Sequence, residues 1–157
     1  MIVDGDWKKD RIGSAERGEN PTVLARMKSG FAVIGDTQFL PGYCVLLASP
    51  KVYTLNDLSL MKRSEFLLDM SLLGEAIEKV CNPRRVNYSI LGNTDPFLHA
   101  HVFPRYEWEP KERKPYPVWQ YPNEMWTDSQ YQLSNEKHGE MREQIKQVLL
   151  QLMNQAY

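Results

Sequence analysis

A chain of 157 residues with 19 Lys and Arg against 20 Asp and Glu carries a formal charge of −1. It therefore has no overall basic field to draw it to nucleic acid or to an anionic membrane. Its length suits one domain with a substantial core, and no stretch is long and apolar enough for a transmembrane helix. The start of the chain has no apolar signal core. Cys44 and Cys81 make neither a disulfide framework nor a zinc site, so a reducing cytoplasm is the expected setting.

In chain order, residues 1–20 are polar, carry Gly5, Gly13 and Gly18, and read as irregular. Residues 21–27 predict a short helix, with Asn20 as N-cap and Pro21 at its first position. Residues 31–34 are a short apolar run after Gly30 and predict a strand. Residues 35–42 form a turn containing Pro41-Gly42, and 43–48 are a second strand stopped by Ser49-Pro50. Together they make an antiparallel hairpin.

The main helix spans 60–81. Phe66, Met70, Leu73, Ile77 and Val80 fall on one stripe, and Glu65, Asp69, Glu75, Glu78 and Lys79 take the outer face. Asn82-Pro83 ends it. Strands follow at 86–91 and 97–105. Residues 106–133 are rich in proline, aromatics and charge, which excludes a regular helix. They read as an extended segment wrapping the body. Their aromatics anchor the segment or, alternatively, line a base-binding cleft. A final amphipathic helix at 134–154 has Met141, Ile145, Val148, Leu149 and Leu152 on one side, with His138 solvated on the polar face. The fold class is α+β: an antiparallel sheet with the 60–81 helix packed on it and a C-terminal helix.

The chemistry concentrates in residues 87–106, a strand, a tight turn and a strand. Residues two apart on a strand share a face. Phe97, His99, His101 and Phe103 therefore point one way, and Leu98, Ala100 and Val102 the other. Two of the three histidines stand side by side on an apolar strand, where unpartnered polar groups are costly to bury. Such a pair marks a site rather than a surface.

This stretch resembles the histidine triad family of nucleotide hydrolases and transferases. The family's signature places three histidines at alternate strand positions, often closed by Pro-Arg. With Pro104-Arg105 fixing the register, His99 falls on the nucleophile, His101 on the third histidine and Phe97 on the first. A second register makes His101 the nucleophile but misplaces Pro104-Arg105. The resemblance covers about residues 22–105 of a single domain. It extends to the first hairpin, where an acidic or amide residue that holds ribose precedes a Pro-Gly-His turn. Here that residue is Gly35 or Asp36, and Tyr43 replaces the histidine. Of the two, Asp36 alone accepts from ribose hydroxyls, and it equally suits a turn.

The resemblance implies that His99 attacks the α-phosphorus of a nucleotide and that water hydrolyses the resulting nucleotidyl-histidine. It implies that the carbonyl of Phe97 holds the proton on the far ring nitrogen of His99. His101 would donate to phosphate or leaving oxygens. Gly92, Asn93 and Thr94 would approach the phosphates, although Thr94 also suits a turn and Asn93 stands where relatives often carry Gln. No cofactor is implied. The expected partners are a nucleotide or dinucleoside polyphosphate substrate and a second copy of the chain in a homodimer. The other readings are a nucleotide-binding module that has lost turnover and a metal site built on His-x-His. The latter lacks a third ligand, because Glu107 lies too far along and His138 sits on the exposed face of the C-terminal helix.

Overall fold

The computed structural model describes residues 6–157. Residues 1–5, part of the stretch read as irregular, lie outside the described residues. The remainder of that stretch is ordered into a 3₁₀ turn, Asp6–Asp10, and a short helix α1, Arg11–Glu16. Asp10 caps α1 by accepting from the Gly13 amide at 3.0 Å. Ile12 and Ala15, three residues apart, are buried with Phe31, Val33 and Leu47.

Residues 23–27 are a strand, not the expected helix. Strands β1 (Val23–Met27), β2 (Gly30–Ile34) and β3 (Cys44–Ala48) form an antiparallel meander. A seven-residue helix cannot recover its nucleation cost alone, whereas β1 gains a ladder with β2. Asn20 closes the entry turn instead of capping a helix, accepting from the Thr22 amide at 2.9 Å and its hydroxyl at 2.6 Å.

The long helix α2 runs Leu60–Cys81, with Ser59 as N-cap and Asn82 in the left-handed conformation at its end. Strands β4 (Arg85–Ser89) and β5 (His99–Arg105) complete a five-stranded sheet of order β1-β2-β3-β5-β4. Helix α4, Asn135–Ala156, packs beside α2 on one face of the sheet. The core there joins Phe66, Leu73 and Ile77 of α2 to Leu98, Ala100 and Val102 and to Ile145 and Leu149 of α4.

Asp69, expected on the outer face of α2, is 0 % exposed. It accepts from the amide and hydroxyl of Ser29 at 2.8 and 2.7 Å, and from the Tyr157 hydroxyl at 3.0 Å. Three residues after Phe66 and four before Leu73, it falls on the buried stripe and not on the outer face, and these polar partners make its burial tolerable.

Residues 106–133 are not extended. They fold into turns, a 3₁₀ turn at Val118–Gln120, the one-turn helix α3 (Glu124–Thr127) and a 3₁₀ turn at Ser129–Tyr131. Val118 and Tyr121 bury against Phe39, Tyr43 and Phe103 on the opposite face of the sheet. Arg105, only 2 % exposed, clamps the segment. Its guanidinium reaches Glu109 at 2.8 Å and the carbonyls of Tyr116 and Arg113 at 2.8 and 3.2 Å.

Candidate active site

The alternation of β5 puts His99, His101 and Phe103 on the sheet face away from α2, and Phe97, in the bend before a strand that starts at His99 and not at 97, sets its ring against His99. Successive ring centroids lie 4.8, 4.8 and 6.1 Å apart. Two cavities meet at the histidines. One, about 250 Å³, is walled by Arg11, Asp36, Tyr43, Phe97 and Trp126. The other, about 360 Å³, is walled by Leu91, Gly92, Asn93, Thr94 and Trp119. His99, His101 and Asp95 belong to both. All the residues singled out from the sequence therefore converge, Asp36 and Phe97 on one side of the pair and Gly92, Asn93 and Thr94 on the other. Gly92 has φ +79°, which a side chain disfavours.

The two imidazoles are held in opposite ways. His99 Nδ1 is 2.7 Å from the Phe97 carbonyl oxygen. A carbonyl only accepts, so Nδ1 carries the proton and the Nε2 lone pair of His99 is free. His101 Nδ1 is 2.7 Å from the Tyr43 hydroxyl. Burial, followed by the charge of Asp36, pushes the Tyr43 phenol well above its ordinary range, so it keeps its proton. Burial, then His99, pulls His101 down to about 4, so it is neutral at pH 7. We assign the phenol O–H as donor to Nδ1, which places the His101 proton on Nε2. One histidine thus offers a lone pair and its neighbour an N–H.

Tyr43 reaches His101 because position 35 is glycine. A Cβ there would lie 2.3 Å from Cδ2 of the Tyr43 ring. The ring also stacks on Phe103, centroid to centroid 4.0 Å. Asp36 accepts from Arg11 at 3.3 and 2.5 Å, one guanidinium nitrogen to each carboxylate oxygen. Arg11 went unnoticed in the sequence. Its signals are Asp10 as a cap and Ile12 with Ala15 on one face, both faint in a six-residue helix.

The aromatic segment both anchors and lines. Tyr121 and Val118 are buried, while Trp119 and Trp126 stack with centroids 5.3 Å apart and face the two cavities. The Trp119 ring stands 4.8 Å from His101, nearly perpendicular to it. His138 is elsewhere. It is half-buried at the start of α4, where Nδ1 accepts from the Ser134 amide at 3.1 Å, so it helps close the helix end instead of being merely solvated. Among the described residues no group of three or more His, Cys, Asp or Glu could hold a metal ion.

No family model and no curated protein matches the sequence. Solved structures do match. A histidine triad protein from Sinorhizobium meliloti aligns with TM-score 0.69 and 17% identity over 94% of this chain and 96% of its own. A histidine triad protein from Marinobacter aquaeolei gives TM-score 0.69 and 21% identity over 83% and 89%. The Plasmodium falciparum diadenosine triphosphate hydrolase gives 0.58 and 18% over 83% and 77%. The chain has the fold of these proteins.

Proposed function

We propose that this chain, built on the histidine triad fold, is a nucleotide phosphoanhydride hydrolase. Its substrates are dinucleoside polyphosphates or related nucleotide conjugates, and it acts through a covalent nucleotidyl-His99. The observation that carries the reading is the placement of the His99–His101 pair where two cavities meet. A nucleoside fits the cavity with Asp36, the leaving group fits the one with Asn93, Thr94 and Trp119, and the α-phosphorus falls between them at the histidines.

The opposite tautomers supply distinct roles. The Nε2 lone pair of His99 attacks phosphorus, and the bond to the leaving oxygen breaks. The N–H of His101 donates to a non-bridging or leaving oxygen as charge develops there, and backbone N–H groups around Gly92 add to it. Water then attacks the phosphorus of the nucleotidyl-histidine, breaking the P–N bond and releasing the nucleotide and free His99. The Phe97 carbonyl does what a histidine main chain would do at that position, so the missing side chain does not remove the nucleophile.

The chain is proposed to act as a homodimer in a reducing compartment, with both cysteines free. The competing reading is a nucleotide-binding module without turnover. Mixing the protein with a panel of diadenosine polyphosphates and quenching in alkali separates the two. Nucleotide release with a nucleotidyl mass on the His99 peptide supports the enzyme. Tight binding with no product over hours supports the binding module.

A further inference from the structure

A smaller cavity, about 110 Å³, adjoins the Asp36 side of the site and shares Arg11, Asp95 and Phe97 with it. Lys8, Lys9 and Lys51 complete its basic wall beside the carboxylates Asp10 and Asp95, with Lys9 paired to Asp6 at 3.7 Å and Arg11 to Asp36. One oxygen of Asp10 is already occupied by the Gly13 amide. The positive charge left to meet a ligand is that of Lys8 and Lys51, which have no ion-pair partner among the described residues. It is also organised. The Trp7 ring carries Lys8 Nζ and Arg11 Cζ at 5.5 and 5.1 Å from its centroid. Lys51 Nζ lies 5.6 Å from the centroid of Phe97, whose ring is 4.8 Å from that of His99.

The Arg11–Asp36 pair changes what a ribose would meet. A bare carboxylate accepts from two sugar hydroxyls. Here both Asp36 oxygens already accept from Arg11. The ligand meets a guanidinium with further N–H groups to offer, in the fork geometry that suits phosphate. This cavity lies on the nucleoside side of the histidines, away from Gly92 and Thr94.

We infer that the nucleoside bound there carries a phosphate on its ribose. The preferred ligand is a nucleoside 5′-phosphate derivative with a second phosphate on the 2′- or 3′-oxygen, held by Arg11, Lys8 and Lys51. This rests on the nucleotide reading of the site. The test is calorimetric binding of nucleoside 5′-monophosphates, 2′,5′- and 3′,5′-bisphosphates and 5′-triphosphates of the adenosine, guanosine and uridine series. The same titrations are run on a Lys8→Ala/Lys51→Ala double variant. One bisphosphate should bind at least about ten-fold tighter than its monophosphate, and the ratio should fall to near one in the double variant. Equal affinity of monophosphates and bisphosphates overturns this inference and leaves the nucleotide reading standing. A triphosphate that gains as much, and loses the gain in the double variant, puts the basic wall on the 5′ chain and overturns the ribose assignment. A bisphosphate preference that survives the double substitution overturns the assignment to this cavity. Binding of none of the series overturns the nucleotide reading and the inference together.

Discussion

The Tyr43 hydroxyl and Nδ1 of His101 stand 2.7 Å apart, across the β3–β5 ladder and over a glycine that leaves the ring room. This pair engages Nδ1 of His101 and so leaves Nε2 as the nitrogen open to a ligand. Tyr43→Phe keeps the stack on Phe103 and removes only the donor. We expect kcat to fall about ten-fold with little change in KM, and the ¹⁵N shifts of His101 to move from one tautomer to a mixture. Wild-type kcat with an unaltered tautomer would mean that something other than Tyr43 orients the ring.

Alanine at each histidine should separate three roles. His99→Ala should abolish turnover. His101→Ala should lower it about 10²–10³-fold, the usual cost of one donor at a developing oxyanion. His138→Ala should leave activity intact and cost roughly 0.5–1 kcal/mol of stability through the helix end it closes. Retained turnover in His99→Ala, with loss only in His101→Ala, would exchange the two assignments.

The leaving group offers another discriminating measurement. With its pKa pulled down to about 4, His101 is neutral at pH 7, and the raised Tyr43 phenol is a poor acid. An amine leaves badly unless protonated, whereas a phosphate anion needs only charge stabilisation. The ratio of kcat/KM for diadenosine tetraphosphate over an adenosine phosphoramidate should exceed one by about 10²-fold or more. A ratio below one would reveal an acid close to His99.

Stability should depend on pH through the same residue. A histidine near 6.5 unfolded and near 4 folded binds more protons in the unfolded chain between those values. Its contribution is complete above pH 6.5 and is lost as pH falls toward 4. Urea midpoints at pH 7.5 and 4.5 should therefore differ more for wild type than for His101→Gln. His138 is shifted the same way, by burial and then Lys137, and acts equally in both proteins.

The surface we propose for the homodimer is the exposed side of α2. Leu60, Met61, Leu67 and Leu68 are solvent-exposed there, and β4 is a sheet edge. Sedimentation at micromolar concentration should give a dimer, and Leu68→Asp should give monomers of unchanged fold. A wild-type monomer would remove the homodimer.

The long apolar stripe of α2, the hairpin 31–48 and the alternation of β5 were legible because each repeats a period over several residues. The Phe97 carbonyl was legible because backbone follows wherever the strand goes. Three things were not. Residues 23–27 hold too little pattern to tell strand from helix, and their partner β2 decides. Asp69 looks like any surface acid until Ser29 and Tyr157 are folded against it. The short α1 carrying Arg11 and the two tryptophan walls are set by long-range packing, on which local periodicity is silent.

The buried Arg105–Glu109 pair has a kinetic consequence. Its side chains are 3% and 0% exposed, and breaking such a pair leaves a buried charge without its partner, at about 3–5 kcal/mol. Arg105 lies on β5 four residues beyond His101, and its bonds to Glu109, Arg113 and Tyr116 tie the turn segment that leads to Trp119 to the strand bearing the histidine pair. Under the proposed hydrolase function, substrate and product would then pass the outer rim at Leu91 and Asn93, without waiting for that wall to swing. Pre-steady-state traces should lack a slow opening phase, and amide exchange across residues 106–121 should slow in step with β5.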